Sequence, residues 1–240
     1  MNASQLNPPG KYDIKEGRYI DAMPALRAAA LRPLSTAEIM KARLDAFETK
    51  DSELRAYLME GWHDYYLDTP DGIAYHGNGV KVVREAPLLL GITPQSSLRN
   101  GALVLTPEEY AALEGEEFTR ERLEKAGLND SLSKRQVLNH PVWRALARGD
   151  KALLREYRDM VFAEGKRRWQ YDSAMGIYVL GETEPSLRAW VLDGLDYGSN
   201  AVDRRRLDGR DARLVGVRES ASEASAPNLE QRVQRAAQRR

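Results

Sequence analysis

The 240-residue chain contains no cysteine. Disulfides, zinc–thiolate centres, iron–sulfur clusters and a cysteine nucleophile are therefore excluded, although the compartment is not fixed by this. Net charge is also lacking: 36 Lys and Arg balance 36 Asp and Glu. No global field draws in nucleic acid or an anionic membrane, so neither is expected as a partner. Long apolar runs are missing too. The best, Ala86–Ile92, falls far short of the roughly 18 residues that a membrane-spanning helix needs. The polar start Met1–Gly10, with two prolines, has no apolar stretch of the kind a signal peptide carries. Synthesis in the cytoplasm, or display on a virion or cell surface by another route, is expected. None of the motifs G-x-S-x-G, G-x-x-x-x-G-K-[ST], G-x-G-x-x-G or H-E-x-x-H occurs, and no catalytic residue, cofactor or enzyme activity is expected.

What is present is an ordinary globular mixture, 42% hydrophobic and 30% charged, long enough for one sizeable domain. Residues 1–18 read as a flexible arm, 19–219 as a single domain, and 220–240 as a flexible or fraying helical tail rich in Gln and Arg. Asp21–Leu31 has a helical apolar face that Pro33 stops. Ser35-Thr36-Ala37-Glu38 is a capping box before Ile39, Met40, Leu44 and Phe47 at helical spacing. A second helix is expected over Ser52–Glu60. Short segments rich in Tyr, Val and Ile follow at Asp64–Asp68, Gly72–His76 and Val80–Arg84, separated by Asp71-Gly72 and Asn78-Gly79, which predict tight turns. Ala102–Leu105 reads as a further strand. Thr106, Ser133 and Asp150 are expected helix caps, the last leading into Lys151–Arg167. Met175–Leu180 is a β-type run, a helical turn is expected from Pro185 toward Trp190, and Ala212–Val217 reads as a buried closing strand.

The segment Ser186–Arg218 carries the most information. Apolar or small anchors (Leu187, Ala189, Trp190, Leu195, Ala201, Leu207, Leu214) punctuate a long run of Gly, Asp, Arg, Ser, Asn and Tyr. A polar stretch of this length inside a compact domain points to function or disorder, and the anchors argue against disorder. Tyr offers rigid amphipathic area, Arg a planar donor fork, and Asn, Ser and Asp adaptable hydrogen bonds. A recognition surface from Trp190 to Asp211 is the expectation.

Arg188-Ala189-Trp190, then Gly198-Ser199 with Ala201, then Ala212-Arg213-Leu214-Val215-Gly216-Val217 resemble the C-terminal variable region of proteins diversified by diversity-generating retroelements. The resemblance covers about 33 residues, with a looser fit of Gly176–Leu180. It implies an α+β, C-type-lectin-like fold of the formylglycine-generating-enzyme type, with helical insertions and a small irregular antiparallel sheet. It also implies a solvent-facing binding surface over about 186–218 that meets an unknown partner, a protein or other surface ligand. Mutagenesis in that family acts at adenines and leaves Asn, Tyr, Asp, Ser, Arg or Gly. The resemblance therefore makes Asp193, Asp196, Tyr197, Asn200, Asp203, Arg205, Asp208 and Arg210 candidate variable residues, with Trp190 a candidate contact.

Plainer readings stand beside these. A Trp in an apolar stretch is more often core than contact. Arg204, Arg205 and Arg206, flanked by Asp, fit a solvated loop as well as an anion site. The aspartates do not follow the D-x-[DN]-x-[DN]-G calcium pattern, so no metal is expected. His63, His76 and His140 are scattered, and Arg232, Arg235, Arg239 and Arg240 suit a solubilising tail. Two rivals remain: a hydrolase using Asp or Glu, and a phage or virus assembly protein.

Overall fold

A computed structural model describes residues 12–50, 52 and 61–218. Its frame is a mixed sheet whose strands are, in chain order, β1 (Tyr12–Gly17), β2 (Arg32–Pro33), β3 (Leu67–His76), β4 (Gly79–Val83), β5 (Leu98–Arg99), β6 (Ala102–Val104), β7 (Glu116–Thr119), β8 (Ile177–Tyr178), β9 (Ser186–Leu192), β10 (Ala201–Val202) and β11 (Ala212–Val217). The main path runs β1-β11-β3-β9-β10-β8. Most pairs are antiparallel, but β11 lies parallel to β3 and β10 parallel to β8. The sheet is thus larger than expected, and its last strand is internal, between β1 and β3.

Both faces of the sheet are covered. One carries the helices Thr36–Glu48 and Lys151–Trp169 over a cluster that includes Ile39, Trp62, Trp143, Tyr157, Trp190 and Leu192. The other carries the helix Tyr19–Ala28 over Met23, Leu26, Leu89, Leu187, Ala189 and Leu214. Strands buried on both faces lose the alternation of polar and apolar residues. That explains one correction: Ser186–Trp190 belongs to strand β9, buried throughout, and is no helical turn.

Local chemistry set several helix starts as expected. Ser35, Thr106 and Ser133 each close a capping box, and the Asp150 carboxylate accepts from the N–H groups of Ala152 and Leu153. Two other expectations fail. Tyr12–Gly17 is no arm but pairs with β11 along its whole length, while residues 1–11 lie outside the described residues. Asp71-Gly72 is no turn but the end of a bulge within β3, between Asp68 and Gly72. The Asp71 carboxylate explains why: it accepts from the N–H groups of Thr36 and Glu85 and holds β3 against two neighbouring segments. The turn after it forms at Gly77-Asn78, with Gly77 at positive φ. Nearly all of the expected helix Ser52–Glu60 and the whole 220–240 tail lie outside the described residues. Among the described residues no helix is long and apolar enough to cross a membrane.

Candidate functional site

The site forms where β9 ends. After Leu192 the chain enters a tight loop in which Asp193 N–H donates to the Asn200 carbonyl at 2.9 Å and Ser199 N–H to the Gly194 carbonyl at 2.9 Å. Leu195–Tyr197 make one 3₁₀ turn. Gly198 and Ser199 then sit at φ of 77° and 54°, the left-handed reversal that a glycine favours. Main-chain bonds from Met175 to Gly198, from Ala201 to Gly176 and from Asp203 to Tyr178 tie the loop to the strand beside it. These bonds fix its path at the level of the main chain.

A concavity of about 520 Å³ opens over this loop. Asp193, Asp196, Tyr197, Asn200 and Arg205, five of the residues singled out from the sequence, line it. Arg204, read from the sequence as part of a solvated loop or an anion site, lines it too, as do Asp64, Tyr66 and Tyr178, which were not singled out as contacts. Asp64 and Tyr66 lie on the approach to β3, far from 186–218 in sequence, and Tyr178 on β8, eight residues before Ser186. The run Tyr65-Tyr66 was the available signal. Arg205 lies over the Tyr66 ring at 3.3 Å, Arg204 over Tyr178 at 5.3 Å and Arg213 over Tyr65 at 4.0 Å. Such stacking orders a guanidinium while leaving its edge to donate. Arg205 spends part of that edge on Asp211.

The other candidates fall elsewhere. Trp190 is wholly buried in the core beneath β9, so it offers no contact. Asp203 is also fully buried; its carboxylate accepts from the Tyr75 hydroxyl and from Leu180 N–H. Both are corrected from contact to scaffold, because each fills a space or bonds a group that the core would otherwise leave empty or unpaired. Asn200 is half-buried, with its amide used at both ends: the oxygen accepts from Gly176 N–H at 2.8 Å and the nitrogen donates to the Tyr197 carbonyl. Asp208 pairs with Arg206, and neither Asp208 nor Arg210 lines the concavity. Tyr197, by contrast, is 73% exposed.

Burial pushes Asp193 up to about 6, with Arg205 pulling it back and Asp196 adding to the rise. Burial likewise raises Asp203 to about 6 against the Tyr75 hydroxyl, and Asp68 to about 7 against the N–H of Arg213. Among the described residues no group of three or more His, Cys, Asp or Glu side chains is placed to hold a metal ion.

No protein-family model matches the sequence, and no curated protein does. One solved structure is similar over 89% of this chain and 100% of its own, at 17% identity and a TM-score of 0.62. It is described as showing the accommodation of massive sequence variation in Nanoarchaeota by the C-type lectin fold. The chain has a C-type lectin fold. Within the C-type lectin fold the concavity sits at the end of β9, where a loop leaves the sheet and a short strand, β10, returns to it. Function resides in such a site rather than in the fold that carries it.

Proposed function

We propose that this chain is a receptor-type binding protein of the retroelement-diversified kind, on the formylglycine-generating-enzyme-like variant of the fold, and that its partner is a protein. The binding region is 186–218, in a single domain that includes Tyr12–Gly17. The contact face comprises Asp193, Asp196, Tyr197 and Arg205 together with Asp64, Tyr66, Tyr178 and Arg204. One observation carries the reading: a loop held by its main chain presents exposed Tyr, Arg and Asp side chains around an open concavity. Tyr and Arg are the residue types on which protein interfaces concentrate their binding energy. The similar structure concerns sequence variation accommodated by this fold, which supports the same reading.

The test is the DNA flanking the gene. A nearly identical repeat of the codons for 186–218, differing at adenines and lying beside a reverse-transcriptase gene, is expected. Mismatches should fall at the codons of Asp193, Asp196, Tyr197 and Arg205, and spare those of Trp190 and Asp203. No repeat, or mismatches gathered at buried positions, overturns the proposal. The hydrolase rival draws on Asp193, a carboxylate of raised pKa beside Asp196. It predicts turnover of ester or glycoside substrates that Asp193→Asn abolishes, whereas the binding reading predicts no turnover before or after.

A further inference from the structure

Arg43 lies in the helix Thr36–Glu48 and is fully buried. No carboxylate among the described residues lies within ion-pair distance of it. An uncompensated buried charge is costly unless dipoles replace water around it. Here carbonyls do. The Arg43 Nε donates to the Trp62 carbonyl at 2.7 Å, Nη1 to the Asp193 carbonyl at 2.8 Å, and Nη2 to those of Tyr65 at 2.9 Å and Leu192 at 3.4 Å. Nη1 also reaches the hydroxyls of Tyr157 and Ser199, each at 2.9 Å, and these two hydroxyls bond each other. One guanidinium thus grips two of the chain segments that wall the concavity, Trp62–Tyr66 and Leu192–Ser199. It also links them to the helix Lys151–Trp169 through Tyr157.

We propose that Arg43 is the positioning residue of the binding face. This rests on the reading of that face given above. The chemistry of the grip is what matters. The Arg43 donors reach the site segments at main-chain oxygens, plus the buried Ser199 hydroxyl. None reaches the side chain of Asp64, Tyr66, Asp193, Asp196 or Tyr197. Exchanging those side chains leaves every carbonyl in place, so the hydrogen bonds of the frame do not depend on what it displays. Arg alone among the residues supplies five donors in one rigid plane. Lys keeps the charge but presents three donors from a point and cannot bridge the same set of oxygens.

Hydrogen exchange measures the grip without any partner, so its failure is separable from that of the binding reading. In Arg43→Lys the amides of Asp193 and Ser199 should exchange at least about tenfold faster relative to those of Ile73 and Leu187 in the β3–β9 pair, which report global opening. Tyr157→Phe, which removes one partner hydroxyl and keeps the ring, should move the same ratio in the same direction by less. The triple substitution Asp196→Ser, Tyr197→Ser, Arg204→Ser with Arg43 intact should leave the ratio unchanged. Uniform acceleration of all these amides, no change in either single variant, or a shifted ratio in the triple variant overturns the proposal. Should Arg43→Lys not fold, Tyr157→Phe and Ser199→Ala decide it by the same ratio.

Discussion

Asp203 and Tyr197 lie six residues apart, and opposite outcomes are expected of them. Asp203→Ala strands the buried Tyr75 hydroxyl and Leu180 N–H, and a buried donor left unpaired costs about 1–3 kcal/mol. Tyr75 is buried and Leu180 partly exposed, so denaturant unfolding should show a loss of about 2 kcal/mol. Tyr197→Ala removes an exposed ring and should stay within about 0.5 kcal/mol of the parent. Equal losses for the two would contradict the division between scaffold and display. Trp190 gives a third contrast. Its ring is fully buried, but its indole N–H has no hydrogen-bond partner. Trp190→Ala should therefore cost about 3–5 kcal/mol through the cavity it leaves. Trp190→Phe, which keeps most of the ring and deletes an unpaired donor, should cost clearly less in the same urea titration.

At the scale of elements, the helix Lys151–Trp169 reaches the site through a glycine. A Cβ at Gly165 would fall onto the ring of Tyr171, whose hydroxyl donates to the Leu195 carbonyl at 3.0 Å. Helix propensity alone favours Ala over Gly by about 1 kcal/mol. Gly165→Ala is nevertheless expected to lower the melting temperature, because the ring must leave its seat and release the 3₁₀ turn that carries Asp196 and Tyr197. A rise in melting temperature would mean that propensity wins and the seat does not matter. Elements also separate what the sequence made legible from what it hid. The Ser35, Thr106, Ser133 and Asp150 caps are local hydrogen-bond chemistry and could be read directly. Strand β9 could not, because burial on both faces erased its period. Half of the site was legible, as polar residues on one continuous loop. The rest, Asp64, Tyr66 and Tyr178, was not, because only the pairing of β9 with β3 and β10 with β8 brings those chain segments to the same place.

For the whole molecule, buried carboxylates set the response to pH. Asp68, Asp193 and Asp203 have folded values near 7, 6 and 6, all above the unfolded value of about 3.9. Between pH 8 and 5 the folded state therefore binds more protons than the unfolded state at these groups, and stability rises as pH falls. His140 opposes this. Burial lowers it to about 4, so below its unfolded value near 6.5 the unfolded state gains a proton that the folded state does not take up. Three groups outweigh one, and the melting temperature should be several degrees higher at pH 5.5 than at pH 8. A lower value at pH 5.5 would show that these carboxylates are not held as described. Asp203→Asn should flatten the slope.

Strand β11 lies between β1 and β3, so the seam joining the first strand to the rest of the sheet is made of residues synthesised some two hundred positions later. On the ribosome, β1 has nothing to zip against until Val217 has emerged. A nascent chain arrested before Ala212 should expose two unjoined sheet edges to chaperones and proteases. Pairings so distant in sequence close slowly, and refolding from denaturant should be correspondingly slow, with the β1 amides the last to gain protection.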